Sequence, residues 1–219
     1  MKKYFTILRK CPLFDSINDN DLTALLSCLG ARVNAFDKKY TIFSEGSPAR
    51  YVGILLSGSA QIIKTDYYGN RSIVSAISPS ELIGEAYSCA GAESIPVSIV
   101  ANEPSEIMII ECERILHSCS NSCSFHQQMI FNLMRNLAIK NIMLHKKIDV
   151  TSKRSTREKL MTYLMIEAEK QGSSRFSIPF DRQELADYLE VDRSGLSAEI
   201  SKLREMGVIK SNKKQFELL

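Results

Sequence analysis

The chain contains six cysteines and three histidines, the side chains that most readily bind metals or change oxidation state. Several cluster between positions 112 and 126, as Cys112, His117, Cys119, Cys123 and His126. If this segment is helical, the spacing of Cys119 and Cys123 places two sulfurs on one face. Zinc, haem and iron–sulfur clusters use such ligands. Cys112, His117, Cys119 and Cys123 are therefore candidate ligands of a metal or redox site, with inert reduced thiols as the alternative.

A second stretch of interest, YLEVDRSGLSAEISKLREMG, spans positions 188–207. Leu196, Ile200 and Leu203 repeat at the spacing of one buried helical face. Asp192 is a candidate N-cap, and Gly207 follows as a stop signal. The sequence therefore predicts an amphipathic helix whose first turn carries small and polar residues on the outer side.

The elements around this helix position it. The segment DRQELADYL has Asp181 and Glu184 at the spacing of a reciprocal cap, and predicts a preceding helix. An earlier helix, REKLMTYLMIEAEK, is followed by the short strand FSIPF. VIK, SNKK and QFELL predict a strand, a basic turn and a second strand. Two helices joined by a short turn and followed by a hairpin predict a winged helix-turn-helix.

In a winged helix-turn-helix, the first half of the second helix enters the major groove of DNA. Arginine pairs there with guanine edges, and serine binds bases or phosphates. Basic side chains in the hairpin turn contact the DNA backbone. The predicted DNA-binding residues are Arg193, Ser194, Ser197, Lys202, Lys213 and Lys214. The alternative use of the same fold is contact with another protein.

The first half of the chain follows a different period. Residues up to about 32 predict a short helix, capped by Asp19 or Asn20, with Leu22, Leu25, Leu26 and Leu29 inward. Between about 33 and 112, short runs rich in valine, isoleucine and tyrosine alternate with glycine-containing turns. This pattern predicts an antiparallel β-barrel or β-roll.

A long amphipathic helix is predicted between these two regions. Ile130, Leu133, Leu137, Leu144 and Ile148 share one stripe. A second copy of the helix is the simplest partner for that stripe, which predicts a parallel two-helix dimer. The alternative is that the helix packs only on its own β-roll.

The segment DVTS at 149–152 interrupts the pattern, and Thr151 or Ser152 is the predicted cap of the next helix. The predicted domains are residues 1–121, a helical segment with the β-roll, and residues 122–149, the dimerisation helix and hinge. The third is residues 150–219, the winged helix-turn-helix. The fold class is α+β, with an N-terminal antiparallel β-roll, a long helix and a C-terminal winged helix-turn-helix.

Composition excludes several classes of protein. The 219 residues carry a formal net charge of +3, so a role with nucleic acid has to come from local placement of charge. The N-terminus is interrupted by Arg9 and Lys10 and predicts no secretory signal, and no apolar run suggests a membrane span. We therefore predict a cytoplasmic protein with reduced thiols. No catalytic triad or phosphate-binding loop is present, which predicts a non-enzyme without a cofactor.

Four motifs in their order resemble the cyclic-AMP receptor protein and fumarate-nitrate regulator (CRP/FNR) family of bacterial transcription factors. They are FSEGSPARYVGILLSGSAQI, then ELIGE, then the long helix ending in DVT, and finally DRQELADYLEVDRSGLSAEISKLREMGVI. The resemblance covers nearly the whole chain. It implies an effector domain, a dimerisation helix and a DNA-binding domain. It also implies a homodimer on pseudo-palindromic promoter sites, with RNA polymerase as a candidate partner.

The resemblance raises the question of the effector. In family members that bind cyclic nucleotides, a Gly-Glu pair is followed by Arg-Ser; the glutamate binds the ribose and the arginine holds the phosphate. This chain has Gly84 and Glu85, but Ile95 and Pro96 occupy the matching positions. An aliphatic side chain cannot neutralise a buried phosphate, and proline lacks an N–H. We therefore expect a small-molecule effector other than cyclic AMP in a cavity lined by Ile83, Gly84, Glu85, Ile95 and Val97. The alternative is that Gly84 and Glu85 serve only the geometry of the roll.

The resemblance also places the base-reading positions. Arg193, Ser194 and Ser197 fall where the family reads bases, whereas Ala198 falls where many members carry a second base-reading arginine. We therefore do not assign to this chain the DNA half-site that those members recognise. The resemblance also places Gln183, near the start of the first helix of the motif, as a predicted contact to the DNA backbone. The oxygen-sensing branch has a tight N-terminal cysteine cluster, and the N-terminus here offers only Cys11 and Cys28.

These observations favour a homodimeric, sequence-specific DNA-binding regulator of transcription, tuned by an effector at the β-roll. Two alternatives stay open. One is an effector-binding signalling module that acts through protein contacts. The other is a redox- or metal-sensing regulator that uses Cys112, Cys119 and Cys123.

Overall fold

A computed structural model describes residues 2–117 and 124–219. The chain divides into two compact units. The first comprises Met1–Lys64 with Val74–Asn141, and the second comprises Thr65–Ile73 with Ile142–Leu219. The predicted domain limits at 121, 149 and 150 stay predictions.

The first unit begins with two short helices, α1 (Phe5–Leu8) and α2 (Asp19–Cys28). The four leucines predicted to face inward from α2 are all buried. The predicted cap was wrong by one position, because the side chain of Asn18 accepts the hydrogen bond from the Asp21 amide. An asparagine with extended backbone at that position satisfies an otherwise unpaired N–H of the first turn.

Two four-stranded sheets form the β-roll and confirm the predicted fold class. The strands are β1 (Arg32–Phe36), β2 (Thr41–Phe43), β3 (Tyr51–Ser57), β4 (Ala60–Thr65), β5 (Arg71–Ile77), β6 (Leu82–Ile83), β7 (Ser98–Ala101) and β8 (Ser105–Glu111). One sheet has the order β1-β8-β3-β6 and the other the order β2-β7-β4-β5. Within the first sheet, β8 pairs antiparallel with both β1 and β3. Two short helices, α3 (Glu85–Cys89) and α4 (Cys112–Leu116), complete the roll.

The tight turn between β3 and β4 depends on Gly58. Its φ is +84°, and a Cβ there would lie 2.2 Å from Ser105 Oγ and 2.6 Å from the Pro104 carbonyl oxygen. Both the backbone conformation and the close approach therefore require glycine. This turn brings β4 back beside its partner strand, β7.

The long helix α5 (Ser124–Thr151) runs past the predicted end at 149. The predicted capping by Thr151 or Ser152 was wrong, because Ser155 caps α6 (Thr156–Gln171) reciprocally with Glu158. The DVTS segment stays helical up to Thr151, since none of its residues forces the backbone out of the helix.

The predicted apolar stripe of α5 does not form one continuous surface. Met129 and Leu133 are buried in the core of the first unit, and Leu137 packs against it. Leu144 and Ile148 are instead about half exposed, at 48% and 59%. The first half of the helix therefore packs on its own β-roll. This differs from the prediction that the whole apolar stripe faces a second copy of the helix.

The buried amide of Asn132 fixes this first half of α5. Its Nδ2 donates to the carbonyl oxygens of Leu13, at 3.1 Å, and Asp15, at 2.8 Å. A buried amide is stable only when such partners are present. The N-terminal segment and α5 are therefore held together by polar as well as apolar contacts.

The second unit contains the predicted winged helix-turn-helix. After α6 follow β9 (Arg175–Ser177), α7 (Arg182–Leu189), α8 (Arg193–Glu205), β10 (Ile209–Asn212) and β11 (Gln215–Leu218). The three strands pair in the order β10-β11-β9. The reciprocal cap of Asp181 and Glu184 on α7 is present as predicted. The core between α6, α7 and α8 includes Leu160, Leu164, Leu185, Ala186, Leu189, Leu196, Ile200 and Leu203.

Within residues 2–117 and 124–219, the structure has no helix with the length and apolar character to cross a bilayer.

Candidate nucleic-acid interface and effector site

The start of α8 is set by Asp192. Its Oδ2 accepts a hydrogen bond from the Gly195 amide at 2.9 Å and another from the Ser194 hydroxyl. The Ser194 hydroxyl, followed by the Gly195 amide, lowers the pKa of this carboxyl. Asp192 is thus anionic at the positive end of the helix, where a carboxylate is favourable. The Ser194 proton is committed to the cap, and only the hydroxyl oxygen is left to accept from a ligand.

The predicted recognition residues on α8 differ in their exposure and in their contacts with neighbouring side chains. Arg193 and Ser194 are exposed, and Ser197 is half-buried. Across the described part of the chain, no residue forms a hydrogen bond or ion pair with the Arg193 side chain. Lys202 is exposed and lies 4.0 Å from the Glu199 carboxylate. Arg193 is therefore the cation of this set that meets no competing anion.

The predicted backbone contacts are partly occupied. Gln183 Nε2 donates to Asp187 Oδ1 at 2.8 Å. Lys214 Nζ donates to the Pro179 carbonyl oxygen at 2.6 Å and lies 3.9 Å from Glu184 Oε2. Lys213 is exposed in the hairpin turn with φ +52°. Lys213 is therefore exposed in the hairpin turn, whereas the side chains of Gln183 and Lys214 contact other residues of their own unit.

Ser201 is a further candidate on the same face, although it is not among the residues predicted from the sequence to bind DNA. It is exposed on α8, four residues after Ser197 and seven after Ser194. Residues at that spacing share a helical face. The i, i+4 pattern of serines was therefore a visible signal that would have added Ser201 to the set.

In the first unit, Glu85 is the central charged residue. It is 2% exposed, and its Oε1 lies 2.6 Å from Lys140 Nζ on α5. The same ammonium group donates to the Leu82 carbonyl oxygen at 2.6 Å. A buried carboxylate needs such a partner, because desolvation strongly disfavours an isolated charge. Glu85 is therefore engaged inside the protein and is not a free ligand for a ribose.

The other residues predicted to line an effector cavity are closely packed. Ile83, Ile95 and Val97 are 0%, 1% and 4% exposed and belong to apolar clusters that both contact Phe43. At Gly84, with φ +77°, a Cβ would lie 3.2 Å from the Tyr51 carbonyl oxygen and 3.5 Å from the Phe43 ring. The packing thus explains the glycine without a ligand.

The backbone around Ile95 is also occupied. Its N–H donates to the Ser47 carbonyl oxygen at 2.9 Å, and its own carbonyl accepts from the Gly46 amide at 2.8 Å. Pro96 follows and has no N–H. Neither position offers the N–H donor that a phosphate group needs.

A cavity of about 870 Å³ opens at another part of the roll. Its wall includes the apolar side chains of Ile42, Phe43 and Ile109, and three arginines contribute to its lining. These arginines are Arg32, Arg50 and Arg114. None of the five predicted effector residues lines this cavity. This cavity and the predicted effector residues therefore do not coincide.

The candidate metal ligands are only partly described. Cys119 and Cys123 lie outside the described residues. His117 Nε2 lies 2.7 Å from Glu113 Oε2, and His126 Nε2 lies 3.2 Å from the Ile115 carbonyl oxygen. Within the described ranges, no three metal-binding side chains come together. Cys112 instead has its sulfur 3.4 Å from that of Cys89.

A β-roll that packs against a long helix, followed along the chain by a winged helix-turn-helix, is the architecture of a class of DNA-binding regulators. Two family profiles match this chain, the cyclic nucleotide-binding domain over residues 33–122 and the Crp-like helix-turn-helix domain over residues 158–219. Together they span most of the chain, which therefore belongs to the CRP/FNR family of transcription regulators.

Relatives and solved structures agree with this assignment. The transcriptional activator protein FnrL of Cereibacter sphaeroides is 24% identical over 179 residues, which cover 77% of this chain and 68% of FnrL. FnrA of Stutzerimonas stutzeri is 23% identical over 93% of this chain and 83% of its own. FixK2 from Bradyrhizobium japonicum has a similar fold, with a TM-score of 0.68 at 18% identity, covering 86% and 92% of the two chains. The c-di-GMP responsive global regulator CLP from Xanthomonas campestris has a TM-score of 0.73 at 17% identity, covering 90% and 98%.

The pairing of Glu85 with Lys140 leads to a stability prediction. Lys140→Met leaves a buried carboxylate without its cation, and we expect it to lower the free energy of unfolding by about 3 kcal/mol. Adding Glu85→Gln removes the unpaired charge and should restore at least half of that loss. The measurement is urea unfolding of the full chain. Lys146→Met, an exposed position on the same helix, is the control. A Lys140→Met variant as stable as this control would contradict the importance of the pair.

Proposed function

We propose that this chain is a homodimeric, sequence-specific DNA-binding regulator of transcription in which α8 reads the major groove. The observation that carries the proposal is the exposed Arg193 on the first turn of a helix capped by Asp192, with no ion-pair partner among residues 2–117 and 124–219. An arginine there can approach guanine N7 and O6 with two hydrogen bonds. Ser197 and Ser201 extend the same polar surface. RNA polymerase and a cytoplasmic location stay predictions.

The exposed face of α5 supports dimerisation. Phe131, Met134 and Ile142 are 55%, 59% and 59% exposed. Phe131, Met134 and Ala138 are separated by three and then four positions, the spacing typical of a two-helix interface. Large apolar side chains along one helix are costly to leave in water. A second copy of α5 would cover them.

The effector belongs to the same proposal. Ligand binding would shift the population of dimers whose two α8 helices match successive major grooves. We infer that this ligand is not cyclic AMP. Two observations support this inference. Lys140 already forms an ion pair with the Glu85 carboxylate, and Ile95 and Pro96 provide neither a cation nor a free N–H. The predicted lining of Ile83, Gly84, Glu85, Ile95 and Val97 stays a prediction.

For DNA binding, the test is Arg193→Ala. We expect affinity for duplexes that the wild type selects from a random library to fall by about 1–3 kcal/mol, with unchanged unfolding. Arg204→Ala, an exposed position on the last turns of α8, is the matched control and should retain selectivity. Wild-type affinity in the Arg193 variant would refute the assignment.

The same titrations separate the regulator from a module that acts only through protein contacts. A DNA-binding regulator shows a steep loss of affinity with rising salt, because bound phosphates release counterions. A module for protein contact shows no such dependence.

For the dimer, the test is Met134→Glu. Two carboxylates would be buried at the interface, and we expect the dimer dissociation constant to rise by roughly 100-fold. Sedimentation over a concentration series measures it. Gln127→Glu, an exposed position earlier on α5, is the control for added charge. Equal dissociation constants for the two variants would place the interface elsewhere.

For the effector, calorimetric titration of the full chain with cyclic AMP is expected to show no saturable heat. Saturable binding that disappears in Glu85→Gln would show that the Lys140 pair opens for a nucleotide, against this inference.

A further inference from the structure

Two cysteines of the first unit meet at the junction of α3 and α4. Cys89 is the last residue of α3, and Cys112 is the first residue of α4. Their sulfurs lie 3.4 Å apart, although the residues are 23 positions apart in sequence. A disulfide bond is about 2.05 Å long, so closure needs an approach of about 1.4 Å. The two side chains therefore already point at each other, as a disulfide requires.

Accessibility differs between the two thiols. Cys112 is 3% exposed, whereas Cys89 is half-buried. A half-buried sulfur can be reached by a small reagent, and the enclosed one is placed to act second. Cys89 is therefore the attacking thiol and Cys112 the resolving thiol.

Burial sets the speed of this chemistry. It raises the pKa of Cys89 to about 12 and also raises the pKa of Cys112. Only the thiolate is nucleophilic, so oxidation is slow near neutral pH. The reaction rate should follow the thiolate population and rise with pH.

We propose that Cys89 and Cys112 form a reversible intramolecular disulfide by exchange with a low-molecular-weight disulfide, and that this modification regulates the protein. The Cys89 thiolate attacks one sulfur of the reagent, forms a mixed disulfide and releases one thiolate. Cys112 loses its proton and attacks the Cys89 sulfur, which releases the second thiolate. In sum, one reagent disulfide is reduced to two thiols while the two cysteines are oxidised to one disulfide.

The position of Cys89 connects this bond to the charged pair of the roll. Glu85 lies four residues earlier on α3, one helical turn away, and holds Lys140 of α5. Ser88 Oγ donates to the Tyr51 carbonyl oxygen at 2.9 Å and anchors the same helix. A movement of the end of α3 toward α4 would therefore act on the helix that carries Glu85. The disulfide itself is independent of the proposed function; only its effect on DNA rests on it.

The test treats the full chain with oxidised glutathione at several pH values. Intact-mass analysis without reductant should show the loss of two hydrogens, and peptide mapping should join Cys89 to Cys112. Because both pKa values are raised, the initial rate should rise about tenfold per pH unit between pH 7 and 9. A rate independent of pH would oppose the assignment of Cys89 as attacking thiol.

Variants locate the reaction. Cys112→Ala should stop at a glutathione adduct on Cys89, and Cys89→Ala should give no linked product. Cys28→Ala, at an exposed cysteine, is the control: it removes any glutathione adduct at position 28 and should form the Cys89–Cys112 link at the wild-type rate. A wild-type protein that stays folded and forms no Cys89–Cys112 link, or that links either residue to Cys119 or Cys123, would overturn the proposal.

The regulatory part has its own readout. Oxidation should change the DNA affinity of the wild type by about 5-fold or more, a typical coupling between sites, and leave Cys89→Ala unchanged. A disulfide that forms without changing the affinity would overturn its regulatory role. Absence of DNA binding by the reduced wild type would instead count against the proposed function.

Discussion

The buried charge of Glu85 is the constraint around which the first unit is organised. The residue begins α3 beside Gly84, and the roll encloses it almost completely. Its carboxylate requires a cation, and Lys140 is delivered by α5. The same half of α5 is held in register by Asn132 and by apolar packing. The charge pair therefore ties the centre of the β-roll to the long helix.

This pairing changes the meaning of a familiar motif. The Gly-Glu sequence of cyclic-nucleotide-binding relatives is present, but its acidic group already has an internal partner. The surrounding positions are filled by aliphatic side chains and by the Phe43 ring. The charge of the glutamate is compensated from within the protein, without a ligand. Within the CRP/FNR fold, the residues around this motif are therefore apolar or already paired, unlike the charged surroundings that a buried phosphate needs.

Much of the candidate DNA interface follows from local sequence. The apolar spacing of Leu196, Ile200 and Leu203, together with Asp192 as cap, predicted α8 and its outer face correctly. Its side-chain contacts did not follow, because they depend on residues distant in sequence. Lys214 reaches Pro179, 35 positions away, and is less free than a lysine in a turn suggests.

The sequence by itself determined the element types and the winged helix-turn-helix, because apolar periodicity and turn residues act over a few positions. The family followed from the resemblance of four motifs in their order. Only the tertiary structure decided how the stripe of α5 divides between its own roll and exposed surface. It also paired Glu85 with Lys140, and brought the sulfurs of Cys89 and Cys112 to 3.4 Å from each other across 23 positions of sequence. The physical reason is common to all three. Burial and the compensation of buried charge depend on segments far apart in the chain, which meet only when the β-roll closes.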